Sequence, residues 1–195
     1  MKFSRIIIFC FISFTIFSHS FAQNTDYSAF GAPVVKFTSL LNQNSIILGG
    51  RFGWMIDKSI VLGGGIYALS SNVKTRIIDP VSKQDALLGL TYGGLEFEYV
   101  LLADEPIHAS IDMLFAGGGV TYQVPDKNVS HTSYFSQNLL VWEPQVNLEF
   151  KVVDWLHLDA GLSYRMISSY DSYYGVSKND LKGMNGVLTF KFGKY

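Results

Sequence analysis

Two adjacent segments of alternating residues constrain the fold of this chain more than any other feature. From Val141 to Val152, and again from Leu156 to Met166, apolar side chains occupy every second position and mostly polar ones fall between them. A period of two is the pattern of a β-strand with one apolar and one polar face. Each segment has about the ten or eleven residues that a tilted strand needs to cross a bilayer, whereas globular strands usually have about five or six. The pair therefore predicts a β-hairpin of a membrane barrel.

The same alternation recurs along the rest of the chain and predicts eight strands in all. Tight turns near Asp57, Asp104 and Asp154 alternate with other connections, and an even number of strands joined in this way is typical of an antiparallel up-and-down barrel. The predicted fold class is therefore all-β, a closed eight-stranded antiparallel transmembrane β-barrel. Its strands are expected at about 33–41, 45–56, 60–69, 87–101, 107–123, 141–152, 156–166 and 183–192.

The predicted connections differ in length at the two ends of the barrel. The segments 70–85, 125–139 and 168–182 are long and polar, whereas the connection at Asn42 and the three tight turns are short. Short periplasmic turns and long external loops are the pattern of bacterial outer-membrane barrels. We therefore expect the outer membrane of a Gram-negative bacterium, with both termini in the periplasm. A bulge or bend is expected between 117 and 123, where the alternation of the fifth strand blurs.

The first 22 residues have the layout of a cleaved secretory signal. Two basic residues precede an apolar run that is shorter than the roughly twenty residues of a spanning helix, and a small-residue cleavage site ends at Ala22. This predicts a signal peptide at 1–22, a short periplasmic segment at 23–32 and the barrel domain at 33–195.

Cysteine and charge exclude several kinds of function. Cys10 is the only cysteine and lies inside the predicted signal, so the mature chain has no disulfide, thiolate metal site or cysteine nucleophile. The chain has 15 Lys+Arg and 16 Asp+Glu, and loss of Lys2 and Arg5 leaves 13 against 16, a net charge of about -3. This balance gives no sign of a nucleic-acid partner.

Five motifs, spread over nearly the whole mature chain, carry a resemblance to a known family. They are LGGRFGWMIDKSIVLGGGIYAL, YGGLEFEYVLL, WEPQVNLEFKV, LDAGLSYR and TFKFGKY. In these motifs the chain resembles the uncharacterised outer-membrane β-barrel-domain proteins of the Bacteroidetes type. The resemblance implies a small eight-stranded barrel in the outer membrane, and it implies no activity.

If the apolar faces of the strands meet lipid, their polar faces must fill the inside of the barrel. An eight-stranded barrel is only wide enough for its own side chains, so the charged groups inside should pair with one another. This predicts a plug of ion pairs and argues against an open pore. The expected interior charges are Lys36, Arg51, Glu96, Glu98, Asp112, Glu143, Glu149, Lys151, Asp159, Arg165 and Lys191.

A turn at 153–155 fixes the register of the hairpin formed by the two alternating segments. It places Lys151 opposite His157 and Glu143 opposite Arg165. The second of these is a favourable cross-strand pair of opposite charges.

The same register brings two carboxylates together. Glu149 falls opposite Asp159, and like charges directly opposite one another destabilise a sheet. We therefore expect a basic residue, Arg51 or Lys191, to lie between them.

Aromatic residues near the predicted strand ends suggest two belts at the membrane interfaces. The alternative is that they are ordinary strand aromatics, because aromatic residues favour strands in all proteins. The periplasmic belt would contain Trp54, Tyr99, Trp155 and Phe192, and the belt at the loop ends Trp142 and Tyr164.

One sequence element raises the question of enzymatic activity. His108-Ala109-Ser110 resembles the His-x-Ser element of outer-membrane lipid A deacylases, with Glu98 on the neighbouring strand placed to orient the histidine. The element lies toward the periplasmic end, whereas lipid A is in the outer leaflet, and the next residue, Ile111, replaces the asparagine of that family. We therefore expect no enzymatic activity, with a lipid-modifying enzyme of deacylase or acyltransferase type as the alternative.

The remaining histidines give no metal-ligand spacing, so we expect neither a metal nor a cofactor. The predicted function is a structural role or the display of extracellular loops, and a soluble lipocalin-like periplasmic carrier with reversed faces is a second alternative. The expected partners are outer-membrane lipid, the barrel-assembly machinery during biogenesis, and an extracellular partner at the loops 125–139 and 168–182, where Tyr, Ser, Asn and Asp are frequent.

Overall fold

A computed structural model describes residues 27–78, 83–103, 105–124, 132–170 and 176–194. The predicted signal peptide lies outside these residues. No helix in the described part of the chain is long and apolar enough to cross a membrane. The described elements are β1 (Tyr27–Leu40), β2 (Gln43–Ile56), β3 (Ile60–Leu69), β4 (Val73–Ile78), β5 (Asp85–Leu101), β6 (Ile107–Val124), β7 (Thr132–Val153), β8 (Leu156–Ser168), the short helix α1 (Lys178–Leu181) and β9 (Gly183–Lys194).

The strands form one closed antiparallel barrel. β1 pairs with both β2 and β9, β2 pairs with β3, and from β4 to β9 each strand pairs with the next in sequence. The ring closes between β3 and β5, from Ile60 opposite Tyr99 to Ala68 opposite Thr91. β4 continues along the same edge of β5, with Val73 opposite Leu88, so β3 and β4 are two parts of one barrel strand. The predicted eight-stranded antiparallel barrel is therefore confirmed.

The strands are longer than the alternation predicts. β1 begins at Tyr27 and not at 33, while the expected loops 70–85 and 125–139 contain β4 and the start of β7. The reason is visible in β4, where Val73 is buried and Lys74 is exposed. Two of its three outward side chains, Lys74 and Arg76, are charged, so its outer face lacks the apolar row of the other strands. A search for strands with lipid-facing apolar residues therefore misses it.

The two ends of the barrel differ, and we name them by their connections. The turn rim carries the connections 57–59, 102–106 and 154–155, the start of β1 and the end of β9. Asp104 itself lies outside the described residues. The loop rim carries the other four connections. Of these only the first is short, a two-residue turn at Leu41 and Asn42 with φ of 51° and 60°. Positive φ at both positions is the conformation of a tight hairpin turn.

The register of the strands agrees with two further expectations. β7 and β8 pair with Lys151 opposite His157 and Glu149 opposite Asp159. In β6 the register against β7 shifts between Thr121 and the next residue, inside the region where a bulge was expected. The glycine triplet that precedes this shift pairs regularly with β5.

The barrel has an apolar outer surface, and its buried charged side chains lie inside. Phe52 and Ile66 are each 66% exposed on the outside, and Leu162 is 55% exposed, whereas Glu143 and Arg165 are buried inside. In a soluble carrier the apolar side chains would converge on the axis instead. The structure therefore contradicts the lipocalin-like alternative and has the arrangement of a transmembrane barrel.

Candidate functional site

Ten charged side chains lie inside the barrel with 5% or less of their surface exposed, six carboxylates and four basic groups. All ten belong to the set that the alternation places there. Charges buried in this way must be paired, because an isolated ion costs several kcal/mol or more to remove from water. They are Lys36, Arg51, Glu96, Glu98, Asp112, Glu143, Glu149, Asp159, Arg165 and Lys191.

Lys151 does not join them, and the expectation that it lies in the interior is wrong. Its side chain is 46% exposed at the turn rim, where Nζ lies 2.9 Å from Asp154 Oδ1. Lys151 stands opposite the buried His157 and lines the cavity at the turn rim, so it lies at the open end of the barrel, where its side chain reaches Asp154 instead of the buried network. The hydrogen bond and charge of Lys151 lower the pKa of the Asp154 carboxyl from its ordinary value.

Arg51 holds three carboxylates together in the half of the barrel nearer the turn rim. Its Nε lies 2.7 Å from Glu96, its Nη2 2.9 Å from Glu98 and its Nη1 2.7 Å from Asp112. A planar guanidinium offers donors in several directions at once, which one ammonium at the end of a flexible chain does less rigidly. Arg51 on β2 thereby fixes the inner faces of β5 and β6.

Lys191, like Arg51, holds three carboxylates together. Its Nζ lies 2.5 Å from Glu149, 3.0 Å from Asp159 and 2.8 Å from Glu98. The expectation that a basic residue separates Glu149 from Asp159 is confirmed, and the residue is Lys191. Because Glu98 contacts both Lys191 and Arg51, the two centres form one continuous network.

A separate group of polar contacts lies nearer the loop rim. Lys36 Nζ lies 2.7 Å from Glu143 Oε1, and Asn185 Nδ2 donates to the same oxygen at 3.1 Å. Arg165 donates to Asn185 Oδ1 at 3.0 Å and to the carbonyl oxygen of Leu181 at 2.9 Å. Glu143 and Arg165 are thus linked through Asn185 and not by the direct ion pair that the register predicts.

Two tyrosines join these groups across the middle of the barrel. Tyr67 donates to a Glu96 oxygen and carries Lys36 Nζ over its ring, 3.7 Å from the centroid. Tyr92 donates to Glu143 Oε2 at 3.1 Å, and the two rings stack with centroids 5.3 Å apart. The two tyrosines meet because β3 pairs with β5, where Tyr67 stands opposite Tyr92.

The part of the interior nearest the loop rim is filled by apolar and aromatic side chains. The connection 168–182, expected to be a solvated loop, contributes to this filling. Val176 and Leu181 are buried, Tyr170 hydrogen bonds to Tyr122 at 2.9 Å between the two hydroxyls, and Leu41 N donates to the carbonyl oxygen of Asp180. The described part of this connection therefore packs into the mouth of the barrel.

Two histidines that are far apart in the sequence meet at the turn rim. His108 and His157 are both buried, with ring centroids 6.2 Å apart, and Glu149 lies between them. His108 stands directly opposite Glu149 across β6 and β7. Spacing along the chain does not reveal this group, because His108 meets Glu149 only through the register of β6 on β7.

The His108-Ala109-Ser110 element does not form a hydrolase pair. His108 Nε2 faces Glu149 at 3.4 Å, while Ser110 Oγ accepts a hydrogen bond from Asn147 at 3.1 Å. A general base and its nucleophile would need to contact one another. In the described residues these two side chains have different partners.

The aromatic residues expected in two belts all lie on the outer surface. Trp155 and Phe192 stack at the turn rim with centroids 6.2 Å apart, and Trp54 and Tyr99 are exposed near the same end. Tyr164 lies toward the loop rim. Trp142 lies near the middle of β7, because this strand begins well before the expected position.

Comparison with known proteins gives similarity of fold alone. No family model matches the sequence, and no curated protein sequence matches it either. Among solved structures, Neisserial surface protein A is similar over 89% of this chain and 100% of its own, with a TM-score of 0.61 and 11% identity. The N-terminal β-barrel domain of Pseudomonas aeruginosa OprF matches 85% of this chain and 96% of its own, with a TM-score of 0.55 and 13% identity.

A third similar structure is Ail, the attachment invasion locus protein of Yersinia pestis, solved in complex with the heparin analogue sucrose octasulfate. It matches 88% of this chain and 99% of its own, with a TM-score of 0.50 and 11% identity. At these identities the comparisons show that the chain has the fold of small eight-stranded outer-membrane barrels.

Substitution of Lys191 by methionine tests the importance of the ionic network. Lys191→Met keeps the length of the side chain but leaves three buried carboxylates without their shared cation, so we expect a loss of about 3–5 kcal/mol in the free energy of unfolding. Lys151→Met is the matched control, because its half-exposed pair should contribute about 0–1 kcal/mol. Urea unfolding in lipid vesicles measures both, and equal effects of the two variants would contradict this interpretation.

Proposed function

We propose that this protein is a non-enzymatic barrel of the outer membrane of a Gram-negative bacterium, closed to solutes, that presents its loop rim to the exterior. The apolar outer surface supports the membrane location, and the similar solved structures are themselves outer-membrane proteins by name or fold. The five sequence motifs support membership of the Bacteroidetes-type outer-membrane family. Periplasmic termini follow from placing the turn rim on that side.

The filled interior is the observation that carries this proposal. The network around Arg51 and Lys191 occupies the half of the barrel nearer the turn rim, and an apolar cluster occupies the half nearer the loop rim. An eight-stranded barrel is only wide enough for its own side chains. From the paired charges and the packed apolar groups of the described residues we expect no aqueous path for ions or nutrients.

The lengths of three strands favour display at the loop rim. β5, β6 and β7 have 17, 18 and 22 residues, whereas about 9–11 residues suffice to cross the membrane. The excess extends the β6–β7 hairpin well beyond the hydrocarbon region. Together with the connection 168–182, this hairpin is the surface that we propose for an extracellular partner, while lipid surrounds the barrel and the barrel-assembly machinery inserts it.

The contacts of the inward-facing histidines support a role without catalysis. His108 faces a carboxylate, and Ser110 is hydrogen bonded to an amide nitrogen. A lipid-modifying barrel would need its reactive groups near the outer leaflet, whereas this element lies at the opposite rim from the long loops.

The closed interior predicts the absence of channel activity. The refolded barrel, inserted into planar bilayers, should give no stepwise ion conductance, because no aqueous path crosses the paired charges and the apolar cluster. A porin inserted into the same membranes serves as the positive control. Regular conductance steps from the wild-type chain would contradict the proposal.

The proposed orientation predicts which positions can be labelled from outside the cell. Since Cys10 lies in the predicted signal, single cysteines can be introduced without interference. In intact cells a membrane-impermeant maleimide should label Asp126→Cys, in the connection between β6 and β7. It should not label Asp154→Cys, whose exposed side chain lies at the turn rim, until the cells are opened. Labelling of both variants in intact cells, or of Asp154→Cys alone, would contradict the orientation.

A further inference from the structure

Three potential metal ligands converge at the turn rim from three adjacent strands. His108 begins β6, Glu149 lies near the end of β7, and His157 begins β8. One ligand atom from each, two imidazole nitrogens and one carboxylate oxygen, lie within 4.8 Å of one another, and all three residues are buried. Two histidines and one carboxylate form a common ligand set for Zn²⁺ in proteins.

The hydrogen bond of His108 determines which of its nitrogens is available. His108 Nδ1 lies 3.1 Å from the carbonyl oxygen of Glu105. A carbonyl oxygen only accepts, so Nδ1 carries a proton and donates it to this bond. In the neutral ring Nε2 is then an acceptor, and it faces Glu149 Oε1 at 3.4 Å. Two acceptors facing each other repel unless a positive charge lies between them.

Glu149 is also held in the orientation that a ligand needs. Its Oε2 accepts from Lys191 at 2.5 Å, which leaves Oε1 directed at both histidines. His157 Nδ1 lies 2.6 Å from this oxygen. Metal ligands are commonly fixed in this way by a second group that contacts their other polar atom.

A nearby group of three carboxylates differs from the histidine site because it already contains a cation. Glu98, Glu149 and Asp159 also place oxygens within 4.8 Å of one another. Lys191 already lies among them and contacts all three. Its ammonium supplies the positive charge there, so this acidic group has no need of a metal ion.

The buried charges of the barrel do not balance. Among the described residues, six buried carboxylates face four buried Lys and Arg side chains, a deficit of two positive charges when all six carboxylates are ionised and histidine is neutral. An uncompensated buried charge is costly, and one divalent cation would remove the deficit. The two histidines beside Glu149 are the buried groups that could hold such a cation.

We propose that His108, Glu149 and His157 bind a divalent transition-metal cation with the ligand preference of Zn²⁺. In a tetrahedral site with Zn–N and Zn–O distances of about 2.0–2.1 Å, the ligand atoms are roughly 3.4 Å apart. The distance from His108 Nε2 to Glu149 Oε1 already has this value. The distance from His157 Nδ1 to the same oxygen is 2.6 Å and has to lengthen to about this value when the cation binds.

A cavity adjoins the three proposed ligands. A space of about 350 Å³ at the turn rim is lined by all three ligands together with Met55, Pro106 and Lys151. It gives the cation a route of entry and room for a water molecule as the fourth ligand. This site is independent of the proposed display function, because it lies at the opposite end of the barrel.

Zinc titration of the metal-free barrel tests the proposal. The mature chain, refolded in detergent and treated with a chelator, is titrated with Zn²⁺ by calorimetry and with Co²⁺ by visible absorption. We expect one Zn²⁺ per chain and the absorption bands of tetrahedral Co²⁺. His108→Gln and His157→Gln should each weaken Zn²⁺ binding at least about tenfold, since loss even of a supporting group costs about 10–100-fold. His131→Gln, which removes a histidine outside the site, should bind as the wild type does.

A second measurement separates loss of binding from loss of folding. Heat-modifiable migration on a gel reports whether each variant forms a barrel, and Zn²⁺ should raise the Tm of the wild type and of His131→Gln but not of the two ligand variants. The proposal is overturned if the wild type binds no Zn²⁺ or if folded ligand variants keep its affinity. It is also overturned if only acidification from about pH 8 to about pH 5 raises the Tm, since protons on the histidines would then supply the missing charge.

Discussion

The need to pair charges away from both lipid and water governs the interior of this barrel. Strand alternation sends every second side chain inward, and in an eight-stranded barrel those side chains have no bulk water to solvate them. Arg51 and Lys191 meet this need by contacting three carboxylates each and sharing Glu98. Removal of one member of such a group leaves its partners buried and unpaired, which costs far more than the loss of an exposed ion pair.

The interior contacts join most of the strands, and this bears on the proposed function. Strands β2, β5, β6, β7, β8 and β9 all contribute members to the network, so the ion pairs connect most of the ring from inside. At the loop rim, Val176 and Leu181 fold back from the last connection and pack into the mouth. We propose that a barrel filled in this way holds long hairpins rigidly and does not conduct solutes.

Much of the fold could be predicted because alternation, strand length and turn position each have a direct physical cause. The eight barrel strands, the inward side of Arg51 and the position of Glu149 opposite Asp159 all follow from them. The strand extensions could not be predicted in the same way, because β4 lies where the outer face is polar and the expected contrast reverses. The exposure of Lys151 does not follow from the period of two, because it depends on how close the residue lies to the open end of the barrel and to Asp154.

The histidine site could not be predicted from the sequence for a different reason. The register of the β7–β8 hairpin follows from its tight turn, which places His157 near Glu149. The register of β6 on β7 depends on a long connection whose length does not fix it, so the position of His108 could not be derived. Without Lys151 the expected interior changes from five basic and six acidic side chains to four and six, so two more positive charges are needed there.

Fluorescence quenching by brominated lipid tests most directly whether the apolar face of each strand meets acyl chains. All three tryptophans of the chain, Trp54, Trp142 and Trp155, lie on the outer surface and are 53%, 49% and 59% exposed. In vesicles of dibrominated phosphatidylcholine the emission of the folded barrel should fall strongly relative to vesicles of the unbrominated lipid. Equal emission in the two lipids would mean that the tryptophans do not touch the hydrocarbon and would contradict the outward orientation of the apolar faces.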